Sequence, residues 1–226
     1  MESLAAQCTA LCQGREELSG KTATLAATLI LGSAAYGFSV GWWRSPEMAF
    51  YVALKLPLLV FLTLGGNAFL NGIIAGVLGS RLDFRETFAA CLAGFATFGL
   101  IVGSVSPITF FMAVNAPPPD AAEATQFHSI FLLSHVVIVG YAGIIAHVKL
   151  LSVLRERCPS PAIALRTLAA WLAGNLFVGA QLSWNLRPFF GSPNLPVAFL
   201  REDPFDGTFY EAVLNSFVRI FLSQIL

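Results

Sequence analysis

Five predominantly apolar stretches, Thr22–Gly41, Pro57–Gly79, Thr87–Thr109, Phe127–His147 and Ile163–Ser183, constrain this chain more than any other feature. At 1.5 Å per residue each reaches across the roughly 30 Å hydrocarbon core of a bilayer. In lipid a lone segment satisfies its own N–H and C=O groups only as a helix. The sequence therefore predicts an all-α integral membrane protein, a five-helix transmembrane bundle. Of the residues, 56% are hydrophobic and only 12% charged, against about 25% charged in a soluble domain. Mean hydropathy is +0.73. Thirteen basic residues balance thirteen acidic ones, which leaves no basic patch and excludes nucleic acid as a partner.

The expected organisation is a cytoplasmic tail over residues 1–20, a five-helix domain over 21–183, and a C-terminal region over 184–226. The first apolar run exceeds a signal-peptide core, and Glu2, Glu16 and Glu17 accompany Arg15 and Lys21 before it, so it reads as a retained helix. Basic residues set the orientation. Arg15, Lys21, Arg81, Arg85, Lys149, Arg155, Arg157 and Arg166 fall on one side. Arg44 is the lone base in the first two opposite loops, and Asn115–Thr125 has none. This predicts a cytoplasmic N-terminus. Cys8, Cys12, Cys91 and Cys158 then lie on the cytoplasmic side, where thiols stay reduced. Cys8 and Cys12 lack a second ligand pair, so no metal or other cofactor is expected.

The second segment is apolar almost without break from Met48 to Gly79. As one helix its 32 residues would measure about 48 Å. Pro57 and Gly65-Gly66 predict a kink, with Met48–Leu56 along the interface. Asn67 and Asn71, four apart, share a face; Gly72 and Gly76 form a small-xxx-small pair that admits another helix backbone. The face reads as a packing surface held by amides, or as an amide-lined polar path.

Lys55 is the most immersed charge, and an ionisable residue in a span is a functional candidate. Its long stem predicts snorkelling to a lipid phosphate or a carboxylate of the C-terminal region; contact with an anionic ligand is the alternative. His128 and His135 share a helical face about 10 Å apart, too far for one metal, and His147 points elsewhere. They read as polar packing residues. No G-x-S-x-G elbow, H-E-x-x-H pair, P-loop or dinucleotide fingerprint accompanies them. With the N-terminus inside, one end of the bundle collects Tyr51, Lys55, Ser104, Ser106, Thr109, His128, His135, Gln181, Trp184, Asn185 and Arg187.

"QLSWNLRPFFGSPNLP", Gln181–Pro196, reads as a helix ending at that face. Trp184 suits the headgroup belt, Pro188 drives its predecessor out of helical geometry, and Gly191-Ser192-Pro193 turns the chain. Arg187 can cap the last carbonyls of the fifth helix or meet a lipid phosphate, and is expected to clasp the acidic loop through Glu202, Asp203 or Asp206, with holding a ligand as the alternative. Beyond Pro204, Glu211, Asn215, Arg219 and Ser223 form a polar stripe beside Phe209, Val213, Phe217, Ile220 and Phe221. That predicts an amphipathic interfacial helix, with a short sixth span over Phe209–Leu226 as the alternative.

Val52–Asn71 and Val178–Pro193 resemble a group of bacterial multi-pass membrane proteins of unassigned function that share a QLSWxLRPFxGSP motif. Some of these are distantly similar to the five-span Yip family, whose D-L-x-G-P signature is missing here. The resemblance implies a bacterial inner-membrane protein acting through lipid or protein contacts, and it brings no catalytic residues. The expected function is a non-catalytic inner-membrane protein that organises, anchors or regulates membrane or membrane-associated partners, with self-association among its contacts. A small oligomeric transporter or channel is the alternative, and a membrane enzyme without a recognised motif the third reading.

Overall fold

The computed structural model describes residues 18–221. Among the described residues six helices follow one another: α1 (Leu18–Trp42), α2 (Pro46–Val77), α3 (Phe84–Val114), α4 (Ala124–Arg157), α5 (Pro161–Asn185) and α6 (Phe209–Phe221). The first five are long and apolar enough to cross a membrane. Cys8, Cys12, the charged residues between Glu2 and Glu17, and Ser223 lie outside the described residues, as do the side chains of Arg219, Ile220 and Phe221.

Short-range chemistry sets where the helices start. Ser45 and Ser160 each accept a backbone N–H in the first turn, with Pro46 and Pro161 at the next position, where a missing N–H costs nothing. Asp83 and Glu86 close a reciprocal capping box before α3. Thr208 and Glu211 exchange the same bonds before α6. At 13 residues, α6 measures about 20 Å over its described length.

Helices α2, α3, α4 and α5 form a ring of neighbours, and α1 packs outside it against α2 and α3. Across the ring, the backbones of α2 and α4, and of α3 and α5, do not meet among the described residues. Side chains fill the middle: Trp171 is fully buried and donates its indole N–H to the Asn71 carbonyl at 3.1 Å. Ion pairing between Arg157 and Glu86 at 3.3 Å ties the end of α4 to the start of α3.

One expectation is corrected. Met48–Leu56 does not lie along an interface but continues α2 as a single 32-residue helix through Pro57. Glycines of α1 draw it in: a Cβ on Gly37 would stand 2.5 Å from the Val52 carbonyl oxygen, and one on Gly41 2.6 Å from that of Met48. Met48, Ala49 and Val52 are wholly buried as a result.

The same device joins α1 to α3. A Cβ on Gly32 would collide with the Gly99 carbonyl, and one on Gly103 would lie 2.6 Å from the Gly32 Cα. Where lipid competes for every apolar contact, this approach supplies the packing that holds helices together. Gly72, expected to admit a helix backbone, instead receives the Phe84 ring, and nothing stands within 4 Å of Gly76. Gly32→Ala is expected to cost about 1–3 kcal/mol by overpacking, read as a lower melting temperature in detergent. Gly94→Ala, at a position open on all sides, is expected to leave it unchanged.

Candidate functional site

Two features could carry chemistry: a cap over one end of the bundle, and a polar seam descending from it between α2 and α5. The cap is the 23-residue connection from Leu186 to Thr208, which contains Pro188, Pro193, Pro196 and Pro204 and forms no helix or strand. Such a backbone satisfies few of its own carbonyls, as the turn bonds from Leu195 N–H to Ser192 and from Asp206 N–H to Asp203 do, each at 3.4 Å, and near lipid it finds little else to serve the rest.

Four basic side chains fill that need. Lys55 Nζ donates to the Pro188 carbonyl at 2.9 Å. Arg44, in the α1–α2 turn, donates to the carbonyls of Ser192 and Leu195, each at 3.2 Å, and Arg201 to that of Pro196 at 3.0 Å. Arg187 spreads its fork over Trp184 and Pro204 (3.1 and 2.8 Å) and over Asp203 and Asp206 (2.7 and 2.9 Å). Among the described residues, each of these bonds ends on a main-chain carbonyl. The Arg187 clasp thus grips the expected segment through its backbone, where the sequence pointed to the carboxylates of Glu202, Asp203 or Asp206. The guanidinium also lies 4.1 Å over the Trp184 ring, whose indole donates to the Asp206 carbonyl at 2.7 Å.

Lys55 departs from expectation as well. It does not snorkel: it is fully buried, with its ammonium 4.8 Å from the Phe199 ring centre and 5.7 Å from that of Phe189. Aromatic faces attract a cation without neutralising it, so the positive field persists. Arg201 is near enough to repel it. Arg201 itself is held below the ordinary arginine range by burial, then by Arg187 and Arg44.

The remaining candidates share this end without forming one site. Phe190 divides them, its ring set edge-on to His128 and His135 at 6.5 and 5.2 Å. His128 stacks on Trp43, and His135 donates Nδ1–H to the Phe131 carbonyl at 2.7 Å. Tyr51 bonds Glu47, and the Gln181 and Asn185 carboxamides meet at 3.0 Å. Ser104, Ser106, Thr109 and Ser134 each donate to a carbonyl of their own helix. Between α4, α6 and the cap opens a cleft of about 550 Å³, into which Trp184, Arg187, Asp206, Glu211 and Asn215 face.

The seam follows an antiparallel register. Asn71 meets Trp171, Asn67 faces Gly174, Thr63 faces Gly179, and Lys55 reaches Pro188. Lys55, Thr63, Asn67 and Asn71 stand at four-residue multiples on α2 and are all buried, along roughly 24 Å of helix. A Cβ on Gly174 would lie 3.6 Å from Asn67 Oδ1 and 3.8 Å from Asn71 Oδ1, so both amide oxygens point at the same small residue. Among the described residues neither Oδ1 has a hydrogen-bond partner, nor does Asn67 Nδ2 or Asn175 Oδ1. Asn71 Nδ2 has only the Cys91 sulfur, at 3.6 Å. One residue beyond Gly174, Asn175 donates Nδ2–H to His147 Nε2 at 3.2 Å, while His147 donates Nδ1–H to the Gly143 carbonyl at 2.7 Å. That relay fixes the imidazole tautomer and turns the Asn175 oxygen the other way.

Sequence reading found Asn67, Asn71 and Lys55 but not their alignment with Thr63, which the spacing of four already carried. It passed over Gly174 and Arg201, which only the fold brings to these places. The fold is an all-helical bundle with five helices of membrane-crossing length. No protein-family model, curated protein or solved structure matches the chain.

Arg187→Ala is expected to lower the detergent melting temperature, since bonds from a charged donor each contribute about 1.5–3 kcal/mol. Arg187→Lys should recover little, because one ammonium cannot span four carbonyls. Asp203→Asn and Asp206→Asn should leave melting unchanged, because the bonds end on backbone; a drop as large as that of Arg187→Ala would return the clasp to the carboxylates.

Proposed function

We propose that the protein is a small membrane transporter or channel that passes a polar solute along the α2–α5 seam. One observation carries this reading: Asn67 is fully buried with both ends of its carboxamide lacking partners, in line with Thr63 and Asn71. Leaving such a group unpaired in a low-dielectric interior costs about 1–3 kcal/mol. A purely structural face would carry leucines there at no such cost. A solute or water that completes those bonds accounts for the amides. The distribution of basic residues and the QLSWNLRPFFGSP motif support a bacterial inner membrane, a cytoplasmic N-terminus and an external cap.

A second reading, in which the bundle organises partner proteins, is favoured by α4, where nothing stands within 4 Å of Gly140 or Gly143, and Tyr141 and Ile144 beside them are exposed. Another helix could approach there closely.

Reconstituted full-length protein is expected to speed the entry of a small polar solute into liposomes. Asn67→Leu should remove that flux while leaving the melting temperature equal or higher, because an unsatisfied polar group gives way to an apolar one of similar size. Inert proteoliposomes together with a stable crosslinked partner through α4 would overturn transport in favour of the organiser.

A further inference from the structure

Resting on that solute-passage reading, we propose that the seam selects small neutral solutes bearing both hydrogen-bond donors and acceptors, such as water, urea or glycerol, and that Lys55 is its charge filter. The amides set the first half of the selection. Asn67 offers an open acceptor and an open donor, while Asn71 and Asn175 each add an open acceptor. A metal cation would use only the oxygens and an anion only the N–H. A neutral amphoteric solute answers both ends of Asn67. Among the described residues of α2 and α5, the carboxylate within the helices is Glu47, in the first turn of α2, so no negative charge along the seam draws a cation inward.

The buried ammonium sets the second half. Lys55 lies twelve residues before Asn67 on α2, roughly 18 Å toward the cap, with Leu59 between it and Thr63. It is fully buried, bonded to the Pro188 carbonyl, and bordered by aromatic rings. Arg201 adds to its field, and Arg187 and Arg44 lie close enough to act on Arg201. A fixed positive charge in a low-dielectric surrounding would raise the barrier for a cation passing along the seam and leave that for a neutral molecule nearly unchanged. Anions drawn to the cap would next meet the oxygens of Asn67 and Asn71, which lack a donor among the described residues.

The test uses the full chain in liposomes, with osmotic shrinkage, urea entry and glycerol entry followed by light scattering and potassium efflux followed beside them. Wild-type protein is expected to accelerate at least one neutral solute while potassium stays at the protein-free rate. Lys55→Gln should raise potassium efflux roughly tenfold with the neutral flux retained, and Lys55→Arg should restore exclusion. Potassium crossing wild-type protein as fast as the neutral solutes would overturn the selectivity, and this comparison stands even where Lys55→Gln fails to fold. Neutral flux with potassium still excluded in a folded Lys55→Gln would remove the filter role alone. Flux of no solute at all would sink the passage reading and this inference together.

Discussion

A main-chain carbonyl near the hydrocarbon needs a donor, and the structure answers that demand in two ways. Inside the five long helices the chain supplies its own N–H groups. Across Leu186–Thr208, where prolines and turns leave only a few weak backbone bonds, Arg44, Lys55, Arg187 and Arg201 supply guanidinium and ammonium N–H groups. Charges that look like a binding site in sequence are therefore spent largely on architecture. What they leave behind is field, since a carbonyl satisfies a donor without cancelling its charge. The cap is held by cations that keep their charge, set against the carboxylates of Glu202, Asp203 and Asp206 in the same segment.

The seam beneath it shows the opposite condition. There the helical backbone is satisfied, and the side chains of Asn67, Asn71 and Asn175 keep open atoms. His147 sharpens the contrast, because its relay to Gly143 anchors one end of Asn175 and leaves the other for something the protein does not provide. Among the described residues, buried atoms without partners also occur at the Tyr36 and Thr87 hydroxyls, His135 Nε2 and the Thr167 hydroxyl. What sets the Asn67 and Asn71 oxygens apart is that both meet at Gly174, where the lack of a side chain leaves room beside them.

Helix number, the common end of the polar residues and the Arg187 clasp were legible because each follows from local rules: apolar length, alternation of direction, and an arginine followed by an acidic loop. Capping of the helix end at Trp184 was legible, but the grip on the backbone of the loop was not, since a sequence displays carboxylates and hides which carbonyls the fold brings near. Lys55 turned inward because the cap brings Phe189, Phe199 and Pro188 over it, contacts 133 or more residues away. Met48–Leu56 joined α2 because Gly37 and Gly41 let α1 approach, and only the pairing of helices reveals which glycines meet. Gly72 and Gly76 matched the association pattern, while the working pair was Gly99 and Gly103 against Gly32.

The unequal closeness of these helix joints has a mechanical consequence. Where α1 meets α2 and α3, an added methyl group would strike backbone at 2.9 Å or less, so these three helices are locked as a block. Along α2 and α5 the corresponding probes at Gly66, Gly174 and Gly179 find only side chains, at 3.6–3.8 Å. A tilt of α4 and α5 against the block would thus part the molecule along the line of its amides first, while the cap, tied to the block through Arg44 and Lys55 and to α5 through Arg187, would act as the tether limiting how far that line can open.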